Sequence, residues 1–158
     1  MNNQPDDANV AVEQYKREQA RNSAASWFWW IGALSLVNSV LTMNDTSFAF
    51  TFGLGVAQIG DAWMAGDSGL LSTLGFFLSF GFSGLFLLLG WLAKHWPPAF
   101  LIGMAVYALD STIFIFAQDW IGVGFHAFAL FLIASGYRAY RQAADAAAPE
   151  LGESAPVR

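Results

Sequence analysis

Asp110 and His126 are the residues whose types and setting offer chemistry. They stand in the run from Tyr107 to His126, two apolar segments joined by a short polar turn at Gln118-Asp119. Ionisable groups in such surroundings are costly, so each is a candidate site. A carboxylate and an imidazole held together could relay a proton, hold a cation, or grip the polar head of a quinone or lipid, with His126 titrating and Asp110 orienting it. The bland alternative is structural: the two satisfy one another through a hydrogen bond, because such burial is tolerated only with partners.

Other chemistry is harder to support. A catalytic zinc needs three or four ligands, and the chain has no Cys and two His, one of them His95 beside Pro97-Pro98. No metal site is expected. None of the serines lies in a Gly-x-Ser-x-Gly setting, and Gly81-Phe82-Ser83-Gly84 is better explained by packing. Gly53-Leu54-Gly55 lacks the third Gly of a phosphate loop and its strand-helix context. The residues identify no particular cofactor and point to a non-enzymatic protein.

The elements that must position these groups are set by composition. Of 158 residues, 56% are hydrophobic and 12% charged, too apolar for an ordinary soluble domain. Between Trp27 and Tyr137 the charged residues are Asp45, Asp61, Asp67, Lys94, Asp110 and Asp119, six in 111 positions. The expected fold class is all-α, an integral membrane helical bundle of four transmembrane helices with one short re-entrant or interfacial helix. A net charge of −5 without a basic patch argues against nucleic acid.

In chain order, residues 1–26 form a polar N-terminal segment with a helix over about 8–22, supported by the Glu13 to Arg17 spacing. The first apolar run begins too late for a cleaved signal. Spans are expected at about 27–43, 70–93, 99–117 and 120–137, a single transmembrane domain over 27–141, followed by a disordered tail over 142–158. Ser35, Asn38 and Thr42 share one face of the first span. Gly75, Ser79 and Ser83 form a small-residue stripe that lets another helix approach closely.

Residues 48–65 decide the topology. If they cross, the basic residues fall on both sides; if they dip in and return, Lys16, Arg17, Arg21, Lys94, Arg138, Arg141 and Arg158 all share one side. The positive-inside rule favours the second arrangement, with both termini cytoplasmic. At about 1.5 Å per residue, Asp110 lies roughly 12 Å from the turn at Gln118 and His126 roughly 9 Å below Trp120. Asn38, Gln58, Asp61, Asp110 and His126, with Tyr107 one turn before Asp110, are therefore expected to converge in the outer half of the bundle.

Size and composition are those of a small bacterial inner-membrane protein. The leading expectation is an accessory or interaction subunit embedded in the lipid bilayer, meeting a membrane partner or a second copy through the Gly75, Ser79, Ser83 face. The alternative is a small carrier or a quinone-, lipid- or proton-binding protein that uses the Asp110/His126 cluster.

Overall fold

The computed structural model describes residues 4–44, 53–66 and 69–153, and among them there are five helices and no strand. These are α1 (Gln4–Met43), α2 (Gly55–Gly66), α3 (Leu70–His95), α4 (Pro98–Phe116) and α5 (Trp120–Glu153). All but α2 are long and apolar enough to cross a membrane. Their outward faces carry large apolar side chains, among them Phe77, Leu109, Phe116, Ile121 and Phe131, as a surface solvated by lipid requires.

The long helices alternate in direction. Gly32 of α1 faces Ser83 of α3 while Trp29 faces Gly90, and Ala24 faces Gly136 of α5. α4 and α5 are likewise antiparallel, with Phe100 against Tyr137 and Tyr107 against His126. The start of α1 and the end of α5 therefore share one end of the bundle. Its core is aromatic on that half, where Phe28 meets Phe86 and Phe100 at ring separations of 6.1 Å.

α2 is the exception, at 12 residues or about 18 Å, too short to cross a hydrocarbon core of about 30 Å. It runs antiparallel to α3, with Ala57 beside Ser79 and Gly60 beside Gly75. Its C-terminal end thus lies with the start of α3, and its N-terminal end is buried between α1 and α4. This is the short extra helix expected from residues 48–65, of which 48–52 lie outside the described residues.

The turns before α4 and before α5 follow from local chemistry. Before Pro97, Trp96 is extended, as the ring of a following proline dictates, and Pro98 occupies the first turn of α4, where its missing N–H costs nothing. At the other end Gln118 adopts φ 58°. Its N–H reaches the Ile115 carbonyl at 3.1 Å, and that of Asp119 reaches Phe114 at 2.9 Å, the Schellman closure of α4. Asp119 Oδ1 then accepts the Gly122 N–H at 3.0 Å and caps α5.

Two boundaries differ from the sequence expectation. Ala24 and Ala25 are fully buried, so the bundle starts before Trp27, because small side chains there let α1 approach α5 closely. The helix α5 continues to Glu153, past residue 142 where a disordered tail is expected, by way of an alanine-rich stretch over 143–148 that favours helix; residues 154–158 lie outside the described ones.

Candidate functional site

The buried start of α2 explains where Asp110 is aimed. The first N–H groups of any helix have no partner within it, and here Leu54 and Gly55 at that end are buried. The Leu54 N–H donates to Ser35 Oγ of α1 at 2.8 Å. Those of Gly55 and Val56 donate to the two carboxylate oxygens of Asp110, at 2.7 Å to Oδ2 and 2.9 Å to Oδ1. A negative group from α4 thus caps another helix at the positive end of its dipole.

His126 completes the arrangement. It is fully buried, with Nε2 3.1 Å from Asp110 Oδ2 and Nδ1 2.9 Å from the Gly122 carbonyl. A carbonyl only accepts, so the hydrogen-bond network assigns a proton to Nδ1. Nε2 and Oδ2 can then bond only by sharing one further proton. The ring lies between Tyr107, stacked at 4.2 Å and 20°, and Phe114 at 4.5 Å. Together the two groups share one proton between Nε2 and Oδ2.

A pocket of about 330 Å³ opens beside this pair. Its walls are Val56 of α2, Phe82 and Phe86 of α3, and Val106, Leu109, Thr112 and Ile113 of α4, with Asp110 the one charged residue. Three hydrogen bonds use three of the roughly four acceptor positions of a carboxylate. One position remains for a donor in the pocket.

The residues singled out from sequence do not form one cluster. Asp110, His126 and Tyr107 meet as expected, and the Tyr107 hydroxyl is buried without a hydrogen-bond partner among the described residues. Asp61 is also buried, at 6% exposure, but it stands six residues along α2 from Gly55, about 9 Å away. Its neighbours are the hydroxyls of Ser39 and Ser79, and its Oδ1 has no partner among the described residues. Asn38 is buried near Gly53, toward Ser35 rather than Asp110. Gln58 is exposed, which corrects its assignment to the cluster: Ala57 and Asp61, one turn apart, face inward, so the intervening position turns out.

Ser35 was visible as a polar position on α1 but its role was not, because the cap bridges residues 19 apart in sequence. Ser79, assigned to packing, also donates to the Ala57 carbonyl at 2.8 Å. The Gly75, Ser79, Ser83 stripe does admit close neighbours, but these are α1 and α2 of the same chain. That overturns the stripe as a face for a partner, since its three residues are already buried.

Among the described residues no three His, Asp or Glu side chains are grouped to hold a metal. The chain matches no known family, no characterised protein and no solved structure, and the functional reading rests on its own geometry.

Proposed function

We propose that this is a multi-pass protein of the bacterial inner membrane, with both termini cytoplasmic, that binds a lipid-soluble molecule bearing a small polar head. The pocket beside Asp110 carries this reading. Its volume of about 330 Å³ is at the small end for ligand sites and suits a single ring or a short length of chain. Apolar walls favour entry from lipid, while the one open acceptor position of Asp110 can take a hydrogen bond from a hydroxyl group. The reduced, hydroxyl-bearing form of a quinone or a neutral lipid head with a free hydroxyl fits those demands. The role is that of a carrier or binding protein, and the Asp110–His126 pair supplies orientation.

Filling the pocket tests this. Val106→Trp adds bulk to the wall without touching the polar pair. Organic extracts of the protein purified in mild detergent are expected to contain a stoichiometric lipid-soluble compound by mass spectrometry, and the variant is expected to retain about tenfold less, a loss of roughly 1.4 kcal/mol. Equal retention by both would exclude the pocket.

An accessory role is the second reading, favoured by a different face. Gly81 and Gly84 of α3 have open space where a Cβ would stand, beside exposed Phe77, Leu85 and Leu88. A pocket empty in those extracts, together with a discrete oligomer, would favour this role instead.

Topology has its own check. A reporter fused after Gly66 is expected to give the periplasmic signal and one fused after Arg141 the cytoplasmic signal; a cytoplasmic signal at Gly66 would refute the orientation.

A further inference from the structure

Arg17 and Arg21 lie one turn apart on α1, and both place their guanidinium groups over one ring, Tyr140 of α5, at 5.1 and 5.9 Å from its centroid. Arg17 Nη2 also donates to the Tyr140 hydroxyl at 3.5 Å. Like charges at this spacing repel. Among the described residues the ion pairs are Lys16 with Glu13 and His126 with Asp110, so neither arginine meets a carboxylate. A ring takes only the face of a guanidinium and leaves its in-plane donors seeking acceptors. Arg21 Nε is buried and has no partner among the described residues. A buried charged donor is costly unless an acceptor reaches it, and an anion between the two guanidiniums would relieve both the repulsion and the missing bond.

The height of this pair in the bundle identifies the anion. Tyr137 packs against Phe100, the third residue of α4, with ring centroids 5.3 Å apart. Tyr140, nearly one turn further on, is therefore level with the Pro97-Pro98 turn, where α3 ends and α4 begins. In a bilayer crossed by those helices, that is the level of the phospholipid head groups. We propose that Arg17, Arg21 and Tyr140 form a binding site for the phosphate of an anionic phospholipid. The ring holds two planar cations side by side, and their forked donors match phosphate oxygens. This site is at the opposite end of the bundle from the Asp110 pocket and does not depend on what that pocket holds. Free phosphate offers the same chemistry.

Native mass spectrometry of the full chain in mild detergent separates the sources. Phosphatidic acid is expected to bind saturably and phosphatidylcholine of the same acyl chains far more weakly. R17Q/R21Q is expected to weaken the phosphatidic acid complex about thirtyfold, the combined worth of two near-surface cations. R138Q/R141Q, which removes two exposed charges from the same end, should leave it little changed. Competition by inorganic phosphate would support the site and assign it to the free ion. Equal binding of the two lipids, or equal loss in the two double variants, would overturn it. If R17Q/R21Q does not fold, R21K decides: it keeps the charge and loses the planar fork, and an unchanged affinity would overturn the proposal.

Discussion

Asp110→Ala is expected to lower stability by about 3–5 kcal/mol, because three buried or part-buried groups lose their hydrogen-bond partner at about 1–3 kcal/mol each. The loss has two parts. His126 Nε2 is left buried without its hydrogen-bond partner, and the Gly55 and Val56 N–H groups lose the carboxylate that caps α2. Unfolding by added sodium dodecyl sulfate in mixed micelles measures the total. The local part can be read separately because the chain has no Cys. A reporter cysteine at the fully buried Leu54 should resist maleimide in the parent and react in Asp110→Ala, as the tip of α2 comes free. A loss below about 1 kcal/mol, with Leu54→Cys still protected, would show that Asp110 does not hold α2.

Asp110→Asn distinguishes the cap from the charge. Both carboxylate oxygens accept a backbone N–H, so the amide must turn its NH₂ toward one of them whichever way it is placed. One N–H of α2 is then unpaired, at about 1–3 kcal/mol. The variant should fold, less stably than the parent and more stably than Asp110→Ala. It also has fewer acceptor positions than a carboxylate, so a ligand held through the open one should be lost from a protein that is still folded.

The second large effect concerns the seam between α2 and α3. A Cβ on Gly75 would collide with the Gly60 carbonyl, and one on Gly60 with Ser79 Oγ and, at 2.5 Å, the Gly75 carbonyl. These neighbours are mainly backbone and cannot rotate aside. Gly75→Ala or Gly60→Ala should therefore destabilise by about 1–3 kcal/mol, the ordinary cost of overpacking, and Gly75→Val by more. Gly81 and Gly84, on the same helix, have nothing within 4 Å of a Cβ. There the change to Ala should be neutral or stabilising by up to about 1 kcal/mol, because Gly is the poorer helix former. The same micelle titration on all four single Ala variants checks the reversal of sign. Four equal effects would mean that close approach is not what these glycines provide.

Much of this architecture is local, and local features can be read from a chain without its fold. The apolar runs of α3, α4 and α5, the Pro97-Pro98 break and the Gln118-Asp119 turn depend on residues within a few positions of one another, so composition and turn chemistry sufficed to place them. Equal depth for Asp110 and His126 also followed, since two antiparallel helices joined by a tight turn must bring residues at similar distances from it to one level. Even the short helix was visible, through the distribution of seven basic residues, because charge distribution constrains topology.

Facing and burial were not local. Whether Gln58 points in or out depends on the rotation of α2 against α3, which Gly60 and Gly75 set by meeting across the helix pair. Ser79 looked like a packing residue because its acceptor, the Ala57 carbonyl, is 22 positions away. The sequence by itself determined a membrane-compatible helical bundle and the pairing of one carboxylate with one imidazole. Only the tertiary structure decided that the carboxylate also holds the tip of α2, that Asp61 belongs to a separate polar site, and that an apolar pocket opens beside the pair. Each of those depends on the spacing of helices distant in sequence, and that spacing is set by packing rather than by any residue's own preference.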